Sequence, residues 1–138
     1  MNVIGPGLFL GDLTDAQSFD GPILCVLEER PQKEPLKALH IPVCIIDKNG
    51  NRRTNTSILN YIAGVIEGTL QKEGKILVHC MAGVERSPLV VAWLLHTRGI
   101  SIGAAYGRIM SIRPEVLRCD DWIEDHNAMT DCRWCKHG

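Results

Sequence analysis

Cys80, Arg86 and Ser87 stand close together in the stretch ILVHCMAGVERSP, residues 76–88, with Gly83 between them. A thiolate is a strong nucleophile and a soft metal ligand, whereas a protonated thiol is a small apolar side chain. A guanidinium is a planar fork that matches two oxygens of a phosphate. Arg86 follows Cys80 by six residues, so one tight loop can bring sulfur and fork to one point. A thiolate there can attack phosphorus and form a phosphocysteine, which water then splits. An isolated cysteine at the end of a strand is more often buried and inert. The spacing of Cys, Gly, Arg and Ser between a strand and a helix reverses that balance.

The flanking elements decide whether the loop can curl. Lys75–His79 reads as a strand, and Ser87–Arg98 as a helix apolar almost all round, with Pro88 in its first turn and Gly99 at its end. A helix that starts near Arg86 turns its free N–H groups and positive dipole end toward the loop. Successive loop amides, those of Met81, Ala82, Gly83, Val84, Glu85 and Arg86, can then converge into a nest for an anion. Gly83 permits the positive φ that such a curl needs. Upstream, Gly7–Gly11, Pro22–Leu27 and Ile41–Ile46 read as strands, and Asp47–Asn51 is turn chemistry. Residues 55–72 read as a helix capped by Asn55 or Thr56, with Ile58, Ile62, Val65, Ile66 and Leu70 on one face and Gly74 at its end. Ser101–Ile112 and Asp120–Met129 complete the helices. Strands alternating with helices predict an α/β fold, a mostly parallel sheet of four to five strands flanked by helices, with ligands beyond the carboxyl ends of the strands.

The totals set limits on function. The chain has 138 residues, 45% hydrophobic and 22% charged, with a net charge of −1. That suits one globular domain over residues 1–130 followed by a tail at 131–138. A neutral balance offers no general basic field for nucleic acid. With no leader and no apolar run of membrane length, the expectation is a soluble, cytoplasmic monomer without membrane contact. Six cysteines in such a chain do not imply a disulfide framework.

Together, residues 79–87, HCMAGVERS, resemble the HCxxGxxR[ST] signature of the cysteine-dependent protein tyrosine phosphatases, and the chain order resembles their small dual-specificity branch. LFLG at 8–11 resembles the family's opening strand, and Arg113-Pro114 the Arg-Pro after its late helices. The resemblance implies a cofactor-free, metal-free phosphatase acting on phosphorylated proteins or peptides at phosphotyrosine and phosphoserine or phosphothreonine. It makes Cys80 the nucleophile, Arg86 and the loop amides the phosphate binders, and Ser87 a hydrogen-bond donor to sulfur. His79 would order the loop from beneath. The family's general acid lies on an upstream loop, and Asp47, 33 residues before Cys80, occupies a suitable turn. A silent phospho-residue binding module, or rhodanese- or arsenate-type thiol chemistry, remains as the alternative.

Three features fit less directly. Glu85 puts a carboxylate beside a bound dianion, so its side chain is expected to point away and to pair with an Arg or Lys from the 98–118 region. Cys119, His126, Cys132 and Cys135 could together hold zinc, although one Cys-x2-Cys is a weak signal. Cys25 or Cys44 could lie near Cys80 and trap it as a disulfide after oxidation.

Overall fold

A computed structural model describes residues 1–126 of the chain. Its centre is a five-stranded sheet of β1 (Asn2–Gly5), β2 (Leu8–Gly11), β3 (Ile23–Cys25), β4 (Leu39–His40) and β7 (Ile76–His79), in the order β1-β2-β7-β3-β4. The β1–β2 pair is antiparallel, and every other pairing is parallel. β7 is the middle strand: Gly11 pairs with His79 on one side and Cys25 with His79 on the other. All four residues of β7 are buried, as expected of a central parallel strand covered on both faces. Cys80 therefore leaves the sheet at the carboxyl end of its most enclosed strand.

The helices follow their caps. α2 (Thr56–Glu73) starts where the Asn55 side chain accepts from the Ile58 amide, and ends at Gly74, whose φ of 81° closes the last turn. Its buried stripe is Leu59, Ile62, Ala63 and Ile66. α3 (Arg86–Thr97) is buried from Ser87 to His96, the enclosed helix that its all-round apolar sequence demands. α4 (Ile102–Ile112) is capped by the Ser101 hydroxyl. These helices and the sheet share one core, in which Leu8, Leu10, Leu24, Val78, Leu89, Val91, Tyr106 and Ile109 are essentially inaccessible.

Four elements differ from the sequence reading. β1 and the short α1 (Leu13–Ser18) were not anticipated; α1 forms because Asp12 and Asp15 exchange reciprocal capping bonds. The strand expected over Ile41–Ile46 is divided. β4 ends at His40, and Ile45–Ile46 (β5) instead forms a two-stranded antiparallel hairpin with Arg52–Arg53 (β6). Pro42 cannot donate to a ladder, and Val43 and Cys44 turn inward as the chain leaves the sheet. The helix expected from Asp120 is only a 3-10 turn at Asp120–Trp122, because Thr54 and Ile123 form a parallel bridge that straightens the chain.

Candidate active site

The loop at 81–85 is held from outside. The Met81 carbonyl accepts from the Leu13 amide (3.2 Å) and the Val84 carbonyl from the Leu117 amide (2.9 Å). Arg113 spans the middle, donating Nη2 to the Ala82 carbonyl (3.0 Å) and Nε to the Gly83 carbonyl (2.9 Å), while Nη1 reaches Asn2 (2.8 Å). The Cys80 carbonyl faces His79 Nδ1 (3.1 Å). Among the described residues, the N–H groups of 81–85 are given to no other protein group. With the carbonyls turned outward, these amides face inward as an anion nest. Gly83 is required twice. Its φ is +70°, and a Cβ there would lie 2.7 Å from the Gly11 carbonyl oxygen.

Cys80 is 2% exposed, and its sulfur lies 3.2 Å from the buried Ser87 hydroxyl. Arg86 begins α3 and enters the cleft bordered by Leu27, Ile46 and Met81. Its Nη1 bonds Glu28 (2.6 Å), whereas its Nε is buried without a protein acceptor. A buried, unspent charged donor is costly, and a bound oxyanion would satisfy it.

Glu28 has no place in the sequence reading, and it organises one wall. Its carboxylate accepts from Arg86, from Arg52 Nε (3.0 Å) and from the Cys44 thiol (3.2 Å). Burial alone would raise its pKa, but these donors prevail and bring it down to about 2. The available signal was its position: Glu28 follows the apolar β3 segment at the same end of the sheet as Cys80. Because the folded pKa lies below the ordinary value of 4.5, the unfolded chain binds the proton more readily. Stability from Glu28 is present above about pH 4.5 and lost as pH falls toward about 2. Glu28→Gln is expected to flatten the melting-temperature profile over that window, as measured by circular dichroism.

Beneath the loop, His79 is fully buried, and its Nε2 lies 2.7 Å from the buried Glu34 carboxylate. Glu85 is not among the residues lining the cleft, and its side-chain neighbour is a thiol rather than the expected cation. Its Oε2 faces the Cys119 thiol at 3.9 Å, and no ion pair involves Glu85 among the described residues. Burial, reinforced by Glu85, pushes the Cys119 thiol up to about 12. Asp47 sits at the hairpin tip. It accepts from the Asn49 and Asn51 amides (2.8 and 3.0 Å) and from Arg53 Nε (2.7 Å). Arg53, followed by the turn amides, holds its carboxyl below the usual range. Ile46, its neighbour, lines the cleft; Asp47 itself does not. Of the four residues of the candidate tail site, the structure describes two. Cys119 faces Glu85, and His126 packs edge-on against Trp93 and His96, while Cys132 and Cys135 lie outside the described residues.

Comparison with known proteins agrees with this geometry. Residues 12–125 match the family described as dual specificity phosphatase, catalytic domain. A 52-residue segment is 42% identical to the dual specificity protein phosphatase Mpk3 of Drosophila melanogaster, covering 37% of this chain and 13% of that protein. The fold resembles that of human DUSP28, with a TM-score of 0.65, 21% identity and coverage of 88% and 90% of the two chains. It also resembles the human tyrosine phosphatase-like serine/threonine/tyrosine-interacting protein, with a TM-score of 0.67, 23% identity and coverage of 89% and 90%. Tk-PTP in its active form gives a TM-score of 0.64 at 25% identity, with coverage of 84% and 86%. The chain belongs to the dual specificity phosphatase catalytic-domain family, within the cysteine-dependent protein tyrosine phosphatases.

Proposed function

We propose that this chain hydrolyses phosphate monoesters of tyrosine and of serine or threonine in proteins through a phosphocysteine. The observation that carries this reading is the loop's polarity: five successive carbonyls are tied outward or downward, leaving the amides of 81–85 to one anion beside the Cys80 sulfur. The unspent Nε of Arg86 adds a charged donor to the same place. Cys80 attacks phosphorus while the amides and Arg86 hold the non-bridging oxygens. The leaving oxygen departs with a proton, and water then cleaves the sulfur–phosphorus bond. Ser87 donates to the sulfur and eases its departure. The test is rapid quenching of a reaction with an aryl phosphate, followed by mass spectrometry: phosphate should be found on the peptide containing Cys80. Turnover with no phosphorylated Cys80 at any quench time would oppose it.

Asp47 is the proposed acid for the first step and base for the second. In the described conformation it is bound to Arg53, so the hairpin tip must release it when substrate arrives. Asp47→Asn is expected to slow esters of poor leaving groups by about 10²–10³-fold and p-nitrophenyl phosphate much less. Equal rates across the leaving-group series would restrict Asp47 to its turn. That pairing with Arg53 also favours a second reading, a phospho-residue binding module without turnover. Tight phosphopeptide binding with no phosphate release would establish it.

The substrate class follows from the cleft. Ile46 and Met81 give it exposed apolar edges, and no lysine stands in the loop. This favours a phosphorylated side chain on a protein over a polyanionic headgroup. One structural neighbour, PTPMT1, was solved in complex with PI(5)P; at 22% identity it shares the fold. Phosphopeptides are expected to exceed phosphoinositides in kcat/KM, and the reverse order would overturn the assignment.

A further inference from the structure

We propose that Cys25, Glu34 and His79 form a zinc site beneath the active loop. The Cys25 sulfur, a Glu34 carboxylate oxygen and a His79 ring nitrogen lie within 4.8 Å of one another, and all three residues are buried. Two of the ligands are fixed by the sheet, since Cys25 pairs with His79 across β3 and β7. The third arrives from the turn after β3, where the Glu34 amide bonds the Pro31 carbonyl.

The donor set and its polarity suit a zinc ion. His79 Nδ1 faces the Cys80 carbonyl, which only accepts, so the proton resides on Nδ1 and the Nε2 lone pair can turn to the cluster. A ring N–H spent on a backbone carbonyl is the usual way to orient a metal-binding histidine. Glu34 supplies the independent observation. Its side chain is 0% exposed, and its Oε2 has no hydrogen-bond partner. A lone buried carboxylate oxygen is expensive unless it meets a cation or donor.

His79 Nε2 and the Glu34 carboxylate already meet at 2.7 Å, so a cation entering between them and the Cys25 sulfur would replace that contact. A thiolate, a carboxylate and a neutral imidazole then balance the dication to zero net charge in a buried site. A tetrahedral zinc ion places its ligand atoms about 3.5 Å apart. The widest separation must shorten by up to about 1.3 Å and the 2.7 Å contact between Nε2 and Glu34 must open by about 0.8 Å, adjustments that torsions of the Glu34 side chain can supply. The fourth position would fall to water. The ion would join β3, β7 and the 31–38 loop, reaching the active loop only through the Cys80 carbonyl. It would be structural, with no part in phosphoryl transfer.

Cobalt binding tests this without reference to hydrolysis, so it can fail independently of the phosphatase reading. The full chain is used with Cys132→Ser and Cys135→Ser, which remove the tail thiols. Co²⁺ is expected to bind stoichiometrically with a thiolate-to-cobalt charge-transfer band, and Zn²⁺ to displace it. Adding Cys25→Ser should abolish the band, and Glu34→Gln should weaken affinity by about 10–100-fold. Zn²⁺ should raise the melting temperature of the parent more than that of Glu34→Gln, which keeps the test informative if Cys25→Ser folds poorly. Absence of the band at saturating cobalt, its survival in Cys25→Ser, or its loss only with Cys80→Ser would overturn the proposal.

Discussion

Cys80→Ser is expected to reduce kcat for an aryl phosphate by at least about 10⁴-fold while leaving substrate affinity near that of the parent. The two halves of this result have separate causes. A serine hydroxyl is not ionised near neutral pH, so the step that forms the bond to phosphorus loses its nucleophile. The binding machinery is untouched. Arg113, Leu13 and Leu117 still hold the loop carbonyls, so the amides of 81–85 remain in place. Arg86 still offers its buried Nε. The variant should therefore capture phosphopeptide without releasing phosphate, and calorimetry alongside a phosphate-release assay checks both halves. Parental turnover in Cys80→Ser would remove the covalent mechanism. Loss of binding together with turnover would instead show that sulfur itself is needed to hold the anion.

Much of this site was legible because its elements are local. Strand, loop and helix follow one another between Ile76 and Thr97, and a contiguous pattern of apolar run, glycine and cap encodes them. The four-to-five-strand sheet was likewise readable from alternation. What escaped were partners distant in sequence. Glu28 lies 58 residues from Arg86 and Glu34 lies 45 from His79; each contact exists only because β3 and β7 are neighbours. Nothing in EERPQKE distinguishes a buried carboxylate from an exposed one. The divided strand at 41–46 shows a different limit. Its apolar run reads as sheet, yet Val43 and Cys44 go inward, Ile45 and Ile46 are exposed, and Ile46 edges the cleft. Hydrophobicity marked the segment as important without saying which side would be buried. Glu85 shows a third. Its place outside the cleft lining could be reasoned from repulsion, but Cys119 as neighbour depends on the chain's path after α4.

Arg113→Ala should damage stability and catalysis together, and Arg113→Lys should separate them. Arg113 is 9% exposed and uses all three of its nitrogens: two on adjacent loop carbonyls and one on Asn2 in β1. Alanine leaves those carbonyls without their charged donor. Hydrogen bonds to charged groups contribute about 1.5–3 kcal/mol each, so a loss of about 3–5 kcal/mol is expected, a large share of a small domain's stability. Lysine keeps the charge and much of the stem, but it has no planar fork to bridge the Ala82 and Gly83 carbonyls at once. The Arg113→Lys variant should therefore remain folded, with a loop free to rotate one peptide out of register. The anion nest depends on those two peptides keeping their carbonyls outward, and small misplacements of catalytic groups cost about 10²-fold. A folded Arg113→Lys variant with a melting temperature near the parent's and kcat/KM lower by about that factor is the expected result. Thermal melts and steady-state kinetics on one preparation measure both. If kcat/KM is unchanged, the bonds to Leu13 and Leu117 at either end suffice to hold the loop, and Arg113 serves mainly to join it to β1.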